Sequence, residues 1–119
     1  MKKYDVAIIG GGITGTAIAR ELSRYSLSVG LFEKEAELAF GVSKSNSGII
    51  HPGTQNPPYL LKSRLCVQGN ILTRKLAREL FIDFKEIGEL IVAFDKDEAG
   101  RLAAIKKDGR ALGIPGLRI

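Results

Sequence analysis

Gly10, Gly12 and Gly15 stand at the spacing G-x-G-x-x-G within the run Gly10-Gly11-Gly12-Ile13-Thr14-Gly15, and Glu33 follows 18 residues after the last of them. Each position has a physical job. Gly10 permits a tight turn, Gly12 lets the backbone approach a pyrophosphate, and Gly15 lets a helix pack on a strand. The free N–H groups and positive dipole end of that helix would hold the phosphates, and Glu33 would accept hydrogen bonds from a ribose diol. Glycine clusters occur in many loops, so the motif carries weight only in context. Here residues 4–9 read as a short apolar strand, an apolar-periodic helix follows the glycines, and residues 27–32 read as a second strand ending on Glu33. The arrangement points to dinucleotide binding; the competing reading is a structural βαβ unit with a fortuitous glycine turn. A carboxylate on the adenosine ribose serves FAD and NAD alike, so this unit does not choose between them.

A second group of polar residues lies between positions 34 and 57, a stretch rich in Ser, Gly, Asn and Pro and too long for an ordinary connection. Its centre, Ser43-Lys44-Ser45-Asn46-Ser47-Gly48, runs into Ile49-Ile50-His51-Pro52-Gly53. Hydroxyls, an amide and approachable backbone at Gly48 suit a loop wrapped around a polar ligand, and equally a solvated surface loop. His51 is the single histidine. An isolated histidine is more often structural or solvent-facing than functional, although imidazole is the side chain suited to exchanging a proton near neutral pH.

The elements that would position these groups follow from periodicity. From Pro58 the pattern turns helical: Leu61, Leu65, Leu72, Leu76 and Leu80 form one face, and Lys62, Arg64, Arg74, Lys75 and Arg78 the other. Gly69-Asn70 is expected to weaken this helix and mark a close contact, and Cys66 within it reads as a small buried thiol. Residues 84–86 and 89–94, parted by Ile87-Gly88, are expected to be two short strands in a hairpin or bend. Asp95 and Glu98 form a capping box for a last helix through Leu102, Ile105 and Leu112, with Gly113 and Pro115 as its stop. Leu117-Arg118-Ile119 resembles the opening of another strand.

Composition narrows the class. At 119 residues with 45% apolar content the chain has the size and balance of one small globular domain. No apolar run approaches the ~18 residues of a membrane span. The N-terminus lacks the pattern of a signal peptide, and a single cysteine excludes an internal disulfide, so a cytoplasmic location is expected. The net charge of +5 suits an anionic cofactor or substrate, while scattered basic residues and the absence of tryptophan argue against nucleic acid. A doubly wound sheet needs about five strands covered on both faces, and only two are clear. A lone chain of this kind is expected to show no appreciable catalytic activity, and to need a complementary C-terminal chain or self-association.

The combination YDVAIIGGGITGTAIARELSRY, LFEKE, SNSGIIHPG and LLKSRLCVQGN resembles the N-terminal part of FAD-dependent oxidoreductases of the D-amino-acid oxidase/glycerol-3-phosphate dehydrogenase superfamily. Within it the nearest branches are the glycerol-3-phosphate dehydrogenases and the L-2-hydroxyglutarate dehydrogenases or oxidases. The resemblance implies an α/β fold: the N-terminal part of a Rossmann-like FAD-binding domain over residues 1–80, with the start of a substrate-domain insertion over 81–119. It implies FAD as cofactor and no metal. Gly10, Gly11, Gly12, Ile13, Thr14 and Gly15 would face the pyrophosphate, Glu33 the adenosine ribose with Lys34 beside it, and Ser43, Asn46, Ser47, Gly48 and Ile49 the flavin. His51 would lie near the isoalloxazine and tune it, the one catalytic candidate. Val42 stands where relatives often carry Thr, and Pro52 where Gly or Ala is usual. The implied reaction is oxidation of a small anionic substrate, a 2-hydroxy acid or glycerol 3-phosphate. An amine or amino-acid oxidase and a non-catalytic dinucleotide-binding subunit are the alternatives. Any membrane or electron-acceptor association is expected to run through parts outside this chain.

Overall fold

A computed structural model describes residues 2–119, and its elements are β1 (Val6–Ile9), α1 (Ile13–Leu22), β2 (Val29–Phe32), α2 (Leu61–Glu79) and α3 (Lys96–Ala111). The chain separates into two compact units, the first reaching to Ile49 and the second covering Ile50–Ile119. These are spatial bodies and differ in kind from the functional division at residue 80 implied by the resemblance.

In the first unit β1 and β2 run parallel, with Val6 opposite Val29, Ala7 opposite Gly30, Ile8 opposite Leu31 and Ile9 opposite Phe32. Two parallel strands need a crossover between them, and α1 supplies it, packing on both. The alternation of a strand then sorts the side chains. Ile8 is buried, whereas its neighbour Ile9 is 83% exposed. On the Ile9 face, Tyr4 and Phe32 meet edge to face, ring centroids 5.6 Å apart, around the bare backbone of Gly30. Both strands are shorter than expected because the paired ladder begins at Val6 and Val29. Just ahead of it, Asp5 and Ser28 are joined twice: the Asp5 N–H donates to the Ser28 carbonyl at 2.8 Å, and the Asp5 carboxylate accepts the Ser28 N–H at 2.7 Å.

In the second unit α2 runs unbroken through Gly69 and Asn70, and the close contact expected at Gly69 is not made. Nothing lies within 4 Å of where a Gly69 Cβ would sit, and Asn70 turns its amide to the Ile50 carbonyl at 3.2 Å and the His51 carbonyl at 3.4 Å. The amide ties the preceding loop to the helix. Ser63 does the same two turns earlier on that face: fully buried, it donates to the Pro57 carbonyl at 2.8 Å and the Asn56 carbonyl at 3.2 Å. Cys66 is half-buried.

The capping box of α3 forms, with Glu98 N–H donating to Asp95 Oδ1 at 2.8 Å and Glu98 Oε2 accepting from Phe94 N–H at 2.8 Å. Gly113 ends the helix at φ +75°, and Ile114 folds back to donate to the Gly109 carbonyl. The expected strands over 84–86, 89–94 and 117–119 are not formed. A strand exists through its partners, and none pairs with these segments among the described residues. Ile87, Leu90 and Phe94 lie almost wholly exposed. No described helix is long and apolar enough to cross a membrane.

Candidate functional site

The glycine turn occupies the gap between β1 and α1, and each glycine in it answers to a particular neighbour. Gly10 adopts φ +103°, a left-handed conformation that favours glycine. Its N–H donates to the Phe32 carbonyl at 2.7 Å, so the turn grows directly out of the ladder. A Cβ on Gly15 would collide with the Gly10 carbonyl oxygen and crowd Ile8 Cγ2 at 3.3 Å, so only glycine lets α1 come this close to β1. Gly12 stands at the N-cap of α1 and brings no side chain of its own.

The missing cap arrives from the loop. Ser43 Oγ accepts the Ile13 N–H at 2.9 Å, thirty positions along the chain. The N–H groups of a first helical turn have no intrahelical partners; with that of Ile13 taken by Ser43, those of Thr14 and Gly15 are left as donors at the positive end of α1. Beside them a cleft of about 390 Å³ opens between the ends of β1 and β2 and the loop at Ala39, Phe40 and Ser43. A recess of about 280 Å³ adjoins it at the helix start, lined by Ile8, Thr14 and Ile18. The cleft combines bare backbone and apolar side chains with Glu33, Lys34 and Glu35, and the donors of the helix start line the adjoining recess.

Glu33 lies at the mouth of that cleft with both carboxylate oxygens engaged. Oε2 accepts the Gly11 N–H at 2.7 Å, and Oε1 accepts the N–H groups of Lys34 at 2.7 Å and Glu35 at 3.0 Å. These donors hold its carboxyl below the usual carboxylate range, the Glu35 N–H most strongly and the Gly11 N–H next, against a smaller opposing effect of desolvation. The Lys34 ammonium lies in solvent beside Glu35, 3.5 Å from its carboxylate.

Of the loop residues named from sequence, Ser43 reaches the turn directly. Asn46 instead spends its amide on the loop itself: Nδ2 donates to the carbonyls of Ser43 at 2.7 Å and Val42 at 3.0 Å, and Oδ1 accepts the Gly48 N–H at 2.8 Å. Gly48 sits at φ +67° inside this knot. Ser47 and Ile49 are exposed. His51 belongs to the second compact unit, exposed and held through its carbonyl by Asn70. Two residues that sequence reading passed over help to build the turn. Ala39 donates its N–H to the Gly11 carbonyl at 3.0 Å, and Leu38 packs over Gly11. Neither has a sequence signature, since one acts through its backbone and the other through shape.

Comparison with known proteins places these features. Residues 5–119 match the family described as FAD dependent oxidoreductase. The chain is 46% identical over 116 residues to a glycerol 3-phosphate dehydrogenase of Caloramator mitchellensis, covering 98% of this chain and 24% of that protein. It is 44% identical over 118 residues to the human mitochondrial L-2-hydroxyglutarate dehydrogenase, covering 98% of this chain and 26% of the relative. Among solved structures it is similar to the dithionite-reduced L-alpha-glycerophosphate oxidase of Mycoplasma pneumoniae with FAD bound, with a TM-score of 0.79 and 40% identity over 96% of this chain and 30% of that one. The chain thus spans about a quarter of the length of the curated relatives it matches. With a glycine turn, a capped helix start and an acid-lined cleft at the strand ends, and with a match from residue 5 to residue 119, this chain belongs to the FAD-dependent oxidoreductase family.

Proposed function

We propose that this chain is the dinucleotide-gripping portion of a flavin-dependent oxidoreductase that oxidises the CH–OH group of a small anionic substrate, a 2-hydroxy acid or glycerol 3-phosphate. The observation that carries the reading is the junction of β1, the glycine turn and α1, where Gly15 seats the helix against the Gly10 carbonyl and the helix start lines the recess beside the cleft. Support for the substrate class is the pair of dehydrogenases and the oxidase that the chain resembles.

In this reading residues 10–15 face the pyrophosphate with backbone donors, and Gly12 keeps the approach free of a side chain. Glu33 takes the adenosine ribose with Lys34 at its edge. Ser43 orients the helix start, and Ser47, Gly48 and Ile49 border the flavin. Asn46 serves that border by holding Ser43 and Gly48 in place. His51 lies near the flavin ring and tunes it through a hydrogen bond or charge. When bound, the flavin supplies hydride acceptance from the substrate carbon.

Further polypeptide completes the enclosure, a complementary C-terminal chain or a second copy. The basis is exposed apolar side chains in the second unit: Ile87, Leu90 and Phe94 are each more than 80% exposed, and clustered exposed apolar residues mark interaction surfaces. A cytoplasmic location belongs to the same reading, on the basis of the lone thiol of Cys66. The test is to purify the protein with whatever chain completes it and record its absorption under anaerobic conditions. The reading expects a bound oxidised flavin that bleaches on addition of glycerol 3-phosphate or L-2-hydroxyglutarate. Colourless protein that binds NADH would overturn the cofactor, and bleaching by an amino acid alone would overturn the substrate class.

A further inference from the structure

We infer that Glu33 is a positioning residue for the phosphate-binding turn, a clasp that fixes the Gly11 peptide and through it the donors aimed at the pyrophosphate. This role is distinct from any contact with the ribose, and it rests on the dinucleotide reading above. Three observations meet here. The Gly11 peptide is gripped on both sides: its N–H by Glu33 Oε2 at 2.7 Å, its carbonyl by the Ala39 N–H at 3.0 Å. The carboxylate doing the gripping is itself aimed, because Oε1 is pinned by the N–H groups of Lys34 and Glu35. Gly11 is buried, and a Cβ there would lie 3.2 Å from Glu33 Oε2 and 3.3 Å from Glu33 Cβ, with Leu38 closer still.

The third observation explains something the motif does not. G-x-G-x-x-G leaves the position between its first two glycines open, yet this chain places glycine there. A Cβ there would displace the movable end of the Leu38 side chain and press tightly on Glu33. The contact between β2's end and the turn is therefore close enough to constrain both partners.

A carboxylate offers about four acceptor positions. Three are taken by backbone N–H groups, one from the turn at Gly11 and two from Lys34 and Glu35 just past β2, so the carboxylate bridges the strand end and the turn. Because Gly11 directly precedes Gly12 and the helix start, freeing it lets the donors at Thr14 and Gly15 lose their common orientation.

The experiment separates the clasp from the ribose contact by removing the ribose hydroxyls. Binding of FAD, and of an FAD analogue whose adenosine ribose lacks both hydroxyls, is measured for the complete protein and for its Glu33→Ala and Glu33→Gln variants. The amide side chain of Glu33→Gln can keep an oxygen for Lys34 and Glu35 while losing the Gly11 bond, so it tests the clasp if the alanine variant fails to fold. The clasp predicts that both variants bind the dideoxy analogue about tenfold more weakly than the unaltered protein does, the scale of one lost hydrogen bond to a charged group. It also predicts faster hydrogen exchange at the Gly11 amide of the cofactor-free Glu33→Gln variant. Equal affinity of variant and unaltered protein for the dideoxy analogue, or unchanged Gly11 exchange, would overturn the clasp and leave Glu33 a ribose ligand only. Failure of the unaltered protein to bind FAD would overturn the dinucleotide reading itself.

Discussion

Gly15→Ala adds one methyl group at the closest approach of α1 to β1, and its cost can be worked from the neighbours. The new Cβ would overlap the Gly10 carbonyl oxygen and come within 3.1 Å of the Gly10 carbonyl carbon and 3.3 Å of Ile8 Cγ2, all inside the ~3.5 Å of ordinary contact. A flexible side chain could swing aside; this obstacle is backbone. The Gly10 peptide is tied to β2 through its N–H to the Phe32 carbonyl at 2.7 Å. Relief must come from α1 lifting away from the strands, which exposes Ile8, one of the few buried apolar side chains. Overpacking of this kind costs up to about 3 kcal/mol, offset by about 1 kcal/mol from the better helix propensity of alanine. A net loss of about 2 kcal/mol lowers the urea midpoint by about 1 M at a typical slope for a small protein. Gly12→Ala is the control, because its Cβ would meet only the rotatable Ser43 hydroxyl, at 3.0 Å. Urea unfolding followed by circular dichroism should show a large shift for Gly15→Ala and a small one for Gly12→Ala. Equal shifts, or a stable Gly15→Ala protein, would refute the account of how the helix is seated.

Three further outcomes follow from the same geometry. Ser43→Ala removes the oxygen that caps Ile13, and should lower stability by about 1 kcal/mol in chemical denaturation while leaving Asn46 to hold the loop. Ser63→Val should cost about 1–3 kcal/mol by the same measurement, since it strips the carbonyls of Asn56 and Pro57 of their buried donor. Glu33 has its folded-state pKa depressed, so its stabilising contribution is present above the ordinary carboxyl range and is lost as pH falls through the lowered value. The stability gap between unaltered protein and Glu33→Gln should therefore be level near neutrality and close under acidic conditions; a gap that widens on acidification would contradict it.

The dinucleotide unit was legible because its signals are local. Glycine spacing, a period-two strand and an acid at the next strand's end each constrain a few adjacent residues, and β1, α1 and β2 form where those signals place them, with Glu33 directly after β2. The capping box at Asp95 and Glu98 was legible for the same reason. The segment over 84–94 was not, because its alternating apolar pattern describes a preference for pairing and says nothing of whether a partner is there. Asn46 shows a different limit. Its residue type indicated polar recognition, but both ends of the amide are spent on Val42, Ser43 and Gly48, and an amide can turn inward or outward with the same sequence. Gly11 shows the reverse case, where sequence displayed a third glycine and only the packing of Glu33 and Leu38 against it gives the reason.

The central claim is that backbone donors of the glycine turn and the start of α1 receive the cofactor, and a titration of the isotopically labelled protein with FAD, followed through its backbone amide resonances, tests it most directly. The account predicts saturable, one-to-one shifts that are largest at Gly11, Gly12, Ile13 and Thr14, with a second group at Glu33, Lys34 and Ser43. Shifts confined to other residues, or a turn that responds to NADH and not to FAD, would contradict it.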